Sequence, residues 1–169
     1  HKDYTRPQLL KFFLPSRDSH AAAYYDWGSE LETEWKENYK LWMTFINEYK
    51  NRGGRVTAGS DSGYMYNLYG FGFVQELELL REAGFHPMEV IRAGTLHAAE
   101  AIGMEDKIGT VEVGKLADLI LMDENPLKNL KYLYATGDIK LDEENDVVRV
   151  GGVEKTIKAG IVYDARLLL

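Results

Sequence analysis

The first hundred residues of this chain carry a single convincing β-strand signal, at 56–59 in Arg55-Val56-Thr57-Ala58-Gly59, set between long stretches of helical periodicity. That feature limits the fold more than any other. A lone strand leaves its N–H and C=O groups without ladder partners and cannot make a sheet. A long helix that closes on glycine and leads at once into a short strand is the αβ half of an alternating α/β unit. The expectation is therefore the end of a larger α/β structure. The chain opens on His1 rather than Met, and it is read as starting inside a longer product.

The helical signals are strong. Residues 1–28 read as irregular and aromatic-rich, with one short helix at 8–13 before Pro15. From Ser29 onward Glu30, Glu32 and Glu34 stand where helix amides point outward, and Ser29 is a candidate N-cap. Leu31, Trp35, Trp42, Phe45, Ile46 and Tyr49 recur at three- and four-residue spacing, which makes one apolar stripe ending at Arg52-Gly53-Gly54. A second helix is expected through Val74, Leu77, Leu80 and Arg81, with Gly84 at C′. A third starts at Pro87, suited to N1, and runs through Val90, Ala93, Leu96 and Ala99 to Gly103.

Beyond Gly103 short strand signals take over at 108–114, 116–122, 132–136, 147–150, 153–157 and 161–163. Gly151-Gly152 and Lys158-Ala159-Gly160 read as hairpin turns, and Asp142-Glu143-Glu144-Asn145-Asp146 as a solvated loop without calcium-ligand spacing. The division expected is 1–103 helix-rich α/β and 104–169 a small β unit.

Composition closes off several functions. Of 169 residues, 45% are hydrophobic and 28% charged, ordinary for a globular protein and too apolar for disorder. There are 20 Lys+Arg against 27 Asp+Glu, a formal charge of −7, with no basic cluster to hold a nucleic-acid backbone. The absence of cysteine excludes disulfides, a thiolate zinc site and a cysteine nucleophile from this chain. No apolar run reaches the ~18 residues of a membrane span.

The strongest chemical candidate is Asp61, in Ala58-Gly59-Ser60-Asp61-Ser62-Gly63. It follows the carboxyl end of a strand, where α/β barrels and open sheets place their working groups. A carboxylate there can ligate a metal or take a proton from an activated water. From spacing alone an Asx turn is the simpler reading. The segment is not Gly-x-Ser-x-Gly, so a nucleophile elbow is excluded. His97 and Glu100 stand three apart on a helix, a spacing that can converge on a metal, though a surface or interface histidine is the simpler reading. His1, His20 and His86 are scattered. Tyr24, Tyr25, Trp27, Tyr64, Tyr66 and Tyr69 flank the Asp61 loop in sequence, either as pocket wall or as packing. No second carboxylate at a definable spacing supports a glycosidase.

The run Gly54-Arg55-Val56-Thr57-Ala58-Gly59-Ser60-Asp61-Ser62-Gly63 resembles the last barrel strand of the metal-dependent amidohydrolase superfamily. Residues 84–103 are similar to the helix that follows it, and 108–127 to the return into a small β-sandwich. The branch most similar is that of imidazolonepropionase and the prolidase-like amidohydrolases.

The resemblance implies an α/β fold: the C-terminal part of a (β/α)8 TIM-like barrel (1–103) followed by part of a β-sandwich (104–169). It implies one or two divalent ions, zinc foremost. Their ligands would be a His-x-His at the first strand, a Lys or Glu at the fourth, two later histidines and an Asp at the eighth. Only the last maps here, onto Asp61, as metal ligand and general base. Lys115 and Asp118 match residues of the barrel-to-sandwich junction, a structural role. A complete barrel needs about 250 residues, so metal and activity would require a preceding segment. The substrate implied is a small amide or cyclic amide, with no nucleic-acid or membrane partner. The competing expectation is a non-catalytic module that assembles with another chain through its exposed half-barrel face.

Overall fold

The computed structural model describes residues 4–19, 21–63 and 67–167; His1, His20, Tyr64 and Tyr66 lie outside them. Five helices come first: α1 Pro7–Phe13, α2 Ser29–Asn51, α3 Gly72–Glu82, α4 Pro87–Gly94 and α5 Leu96–Ala101. Five short strands follow: β1 Leu119–Leu121, β2 Asp138–Leu141, β3 Val147–Val150, β4 Lys155–Lys158 and β5 Ile161–Asp164. None of the described helices is long and apolar enough to cross a membrane.

The helix ends follow local chemistry. Both α2 and α3 close in a Schellman motif: Gly54 N–H reaches Tyr49 C=O at 2.9 Å and Phe85 N–H reaches Leu80 C=O at 3.2 Å. Gly84 takes φ +100° at C′, as its position required. At the start of α4, Pro87 holds N1, His86 Nδ1 accepts from Met88 N–H (3.3 Å), and the Glu89 carboxylate accepts from His86 N–H (2.7 Å). Two details differ from the sequence reading. Gly28, not Ser29, is the N-cap of α2. The helix expected through to Gly103 breaks at Thr95, whose Oγ1 donates to Ile91 C=O at 2.7 Å while its backbone leaves the helical region.

The core joins Leu77 and Leu80 of α3, Phe85, Val90 and Ala93 of α4, and Leu130 from the C-terminal portion. Leu133 adds to it, so residues beyond 104 help bury the helices. Helix α2 contributes Met43 and Ile46, yet none of its 23 residues is buried. The single stripe expected on α2 is two adjacent faces. Met43 and Ile46 meet the core, whereas Trp35, Trp42, Phe45 and Tyr49 are exposed; Phe45 touches Trp42 and Tyr49, and Trp35 touches Trp27. Among the described residues no further layer covers them.

The strands form two sheets, an antiparallel β1-β4-β5 sheet and a β2-β3 hairpin. In the hairpin Asp138 pairs with Val150 and Leu141 with Val147, and in the larger sheet Leu119 pairs with Ile157. Residues 108–114 and 132–136 are turns and a 3-10 segment rather than strands, and β2 replaces them as a strand the sequence reading missed. The expected strand at 116–122 shrinks to three residues. Lys158-Ala159-Gly160 is the β4–β5 hairpin turn as expected, but Gly151-Gly152 is a crossover between the sheets, because β3 pairs with β2. The acidic stretch 142–146 is the β2–β3 loop, in which Asp142 accepts from the N–H of Glu144 and of Asp146. Ile139, Leu141, Val147, Ile161 and Val162 are more than half exposed. The sheets pack on little else.

The consequence is a large surface. The chain exposes 12046 Å², whereas a compact monomer of its 19.3 kDa is expected to expose about 8,500 Å².

Candidate active site

Residues 54–60 carry the strand signal, and they run extended without belonging to a ladder. The expected strand is thus present as conformation and absent as a paired element, because no described strand lies beside it. Three contacts strap it to the helices instead. Ala58 N–H donates to Ala93 C=O at 3.1 Å, Arg55 pairs with Glu100 at 2.9 Å, and His97 Nδ1 lies 3.2 Å from Val56 C=O. Val56 and Ala58 are half-buried against the α3–α4 core, while Arg55, Thr57 and Gly59 are exposed. This period of two is that of a strand with one covered face.

His97 and Glu100 are therefore spent on separate tasks and do not converge. His97 is an interface residue of α5. Among the described residues no group of three His, Cys, Asp or Glu side chains gathers as a metal site.

Asp61 closes the extended segment on its uncovered side. Its side chain is exposed and its backbone lies at φ +45°, the left-handed region that aspartate tolerates at some cost. An Asx turn would have Gly63 N–H donate to the Asp61 carboxylate. That N–H goes to Asn67 C=O instead, at 2.7 Å. Around it, Ser60 Oγ and Ser62 Oγ lie 2.8 Å apart, and Asn67 Nδ2 donates to Ser60 C=O. Asn67 Oδ1 is buried with no hydrogen-bond partner among the described residues. A Cβ built on Gly72 would run into Asn67 Oδ1 and Ser62 Oγ, so only glycine at the head of α3 leaves room for this arrangement.

Of the flanking aromatics, Tyr69 lies against Gly63, beside the loop. Tyr24 lies tilted against Trp27 at 4.8 Å, and Trp27 stacks on Trp35 of α2 at 6.1 Å, a ladder along the N-terminal part of the chain. Lys115 and Asp118 act within the fold. Lys115 reaches Thr110 Oγ1, and the Asp118 carboxylate accepts from Lys158 Nζ and from Ala159 N–H, holding the β4–β5 turn. The Lys158 hydrogen bond, then that of Ala159, keeps Asp118 below the usual carboxylate range.

Other perturbed groups lie on α3 or are hydrogen-bonded to it. Burial pushes the Glu76 carboxyl up. Burial, then the hydrogen bond to Glu82 at 2.9 Å, pushes the Tyr39 phenol up to about 12. Tyr134 is pushed up likewise, by burial and its 2.8 Å bond to Glu78. Each phenol is paired with a carboxylate that tethers α3 to a neighbouring segment, so the function here is packing. The sequence reading passed over these pairs, since nothing in their spacing of 43 and 56 residues announces them.

Comparison with known proteins follows the same segment. The chain matches the sequence profile described as the Amidohydrolase family over residues 42–162. It is 40% identical over 75 residues to an imidazolonepropionase of Symbiobacterium thermophilum, covering 41% of this chain and 16% of that protein. Over 52 residues it is 44% identical to a 5'-deoxyadenosine deaminase of Methanobrevibacter smithii, covering 31% of this chain and 12% of that one. Among solved structures, a putative prolidase from Bifidobacterium longum superposes with TM-score 0.55 at 30% identity, covering 69% of this chain and 24% of that chain. A Xaa-Pro dipeptidase with methionine bound in its active site superposes with TM-score 0.53 at 26% identity, covering 72% of this chain and 25% of that chain. The chain thus spans about a quarter or less of these proteins.

Proposed function

The chain belongs to the amidohydrolase family, and on that premise we propose that it is the C-terminal portion of a hydrolase that cleaves a carbon–nitrogen bond in a small amide or cyclic amide, with Asp61 as the residue that takes the proton from the attacking water. Residues 1–103 are the end of a (β/α)8 barrel, with 54–60 as its last strand, and 104–169 belong to a β-sandwich. The observation that carries this reading is the two-faced extended segment ending at Asp61. Its covered face packs on helices, as the outer face of a barrel strand does. Its uncovered face, which Asp61 continues, is the face a barrel turns inward. The absence of a pairing strand among the described residues and about 3,500 Å² of surplus surface support a fold completed by residues outside this chain.

A divalent metal bound at such a site supplies an acidic, positioned water. Asp61 fits as one ligand of it: its side chain is exposed, and among the described residues the hydrogen bonds of its loop leave the carboxylate uncommitted. No group of three His, Cys, Asp or Glu side chains gathers among the described residues, so zinc would be held only together with ligands from a preceding segment. Asp61 then holds the proton taken from water and returns it to the departing nitrogen. The similarity to imidazolonepropionase and to a Xaa-Pro dipeptidase supports cyclic amides and dipeptide-like amides as the first substrates to try.

The test is the full-length gene product with and without Asp61→Asn, assayed for zinc content and for hydrolysis of a cyclic amide and an Xaa-Pro dipeptide. Loss of 10²–10⁴ in rate is expected for removal of a general base; equal rates in the two proteins would end the assignment. The exposed aromatic face of α2 supports a second reading, a non-catalytic module that docks on another chain. A full-length protein free of metal and of hydrolytic activity would favour it.

A further inference from the structure

We infer that Asn67 is the positioning residue for Asp61, an inference that rests on the reading of Asp61 given above. Asp61 occupies a left-handed backbone conformation, and among the described residues no side-chain hydrogen bond of its own holds it there. Such a conformation persists only where its surroundings over-determine it. Asn67 is the residue that does so from both sides. Its side-chain Nδ2 donates to the carbonyl of Ser60, the residue before Asp61, and its main-chain carbonyl accepts from the N–H of Gly63, two residues after it. Residues 60 and 63 are thereby pinned to one anchor, and the carboxylate between them is aimed outward.

The anchor is itself fixed. Leu68, the next residue, is buried, and its carbonyl accepts from Gly72 N–H at 2.8 Å and Phe71 N–H at 3.2 Å, which ties the loop to the head of α3. Gly72 leaves the space that the Asn67 amide fills. The chain of constraint runs from α3 through Gly72 and Asn67 to the backbone on either side of Asp61. Residues that orient a metal ligand without touching the metal typically change affinity or activity by about 10–100-fold.

The experiment uses the full-length protein loaded with zinc, with Asp61→Asn, Asn67→Ala and Gly72→Ala compared on whichever of the two amides it hydrolyses. Zinc affinity is measured separately by chelator competition, and Tm by calorimetry. Asn67→Ala and Gly72→Ala are each expected to lower kcat and weaken zinc by at least tenfold, with KM within about twofold and Tm within about 3 °C of the parent. Asn67→Ala with parental kcat and zinc affinity, beside an inactive Asp61→Asn, overturns the inference and leaves the role of Asp61 standing. A loss of activity that merely tracks the fraction unfolded overturns it as well. If Asn67→Ala does not fold, Asn67→Ser replaces it, and failure of both to fold assigns Asn67 to stability alone and overturns it. A fully active Asp61→Asn removes the role of Asp61 and this inference with it.

Discussion

Phe85 and Phe45 offer the same side chain in opposite settings, and truncating each to alanine measures how much of this chain is a finished core. Phe85 is 1% exposed at the centre of the α3–α4 cluster, with Lys50 Nζ 5.0 Å from its ring centroid. Phe45, on α2, is 60% exposed. Complete burial of about 200 Å² of phenylalanine is worth about 5 kcal/mol at 25 cal/mol per Å². The measured range for Phe→Ala in cores is about 3–5 kcal/mol, so Phe85→Ala should cost about 4 kcal/mol. Phe45 keeps some 40% of its contact area, about 2 kcal/mol on the same scale. Alanine's better helix propensity and the compactness of the unfolded chain bring that to about 1 kcal/mol. With a urea slope of about 2 kcal/mol/M, the midpoints should fall by about 2 M for Phe85→Ala and about 0.5 M for Phe45→Ala. Tryptophan fluorescence of the 169-residue chain reads both. In the full-length protein, where the proposed barrel covers α2, Phe45→Ala should rise to about 3 kcal/mol. Equal midpoint shifts in the short chain would refute the core as drawn. A Phe45→Ala cost that stays near 1 kcal/mol in the full-length protein would refute the proposed covering of α2.

Two further predictions concern pH. Tyr39 is raised to about 12 by burial and by its bond to Glu82, so its contribution to stability is complete below the ordinary phenol value near 10 and is lost as pH rises through about 12. Absorbance at 295 nm should show most tyrosines ionising near 10 and a late step that coincides with unfolding, which Glu82→Gln moves downward; a single wave would contradict the α2–α3 contact. Asp118 is depressed by Lys158 and Ala159, so what it adds to the β4–β5 turn is present above its ordinary value and lost as pH falls through its lowered one. Asp118→Asn should speed amide exchange at Ala159 on the order of tenfold at neutral pH and abolish the acid-induced loosening of the turn; unchanged exchange would mean that Asp118 does not hold it.

Much of this was legible in the sequence because its causes are local. Pro87 at N1 and Gly84 at C′ each name a helix end by what their backbones permit. The alternation in Arg55-Val56-Thr57-Ala58 survives as alternating exposure even without a ladder. The failures are of another kind. Thr95 stops a helix through a bond to Ile91 that competes with propensity. Asp138-Ile139-Lys140-Leu141 became a strand only because Val147–Val150 pairs with it, and Gly151-Gly152 turned out to cross between sheets for the same reason. Asp61 was found from its place after a strand signal and from a resemblance; nothing in the spacing singled out Asn67, whose hold on the loop depends on a vacancy made by Gly72.

The order of residues, then, settles helix ends such as Gly84 and Pro87 and the two-faced, extended course of 56–59, since these follow from backbone sterics and side-chain period. The folded arrangement alone decides that Trp42 and Phe45 stay exposed while Ile46 is half-buried, that His97 Nδ1 meets the Val56 carbonyl, and that the Asp61 carboxylate has no partner among the described residues. Those outcomes depend on which surfaces meet across dozens of intervening residues, and proximity of that kind has no local signature.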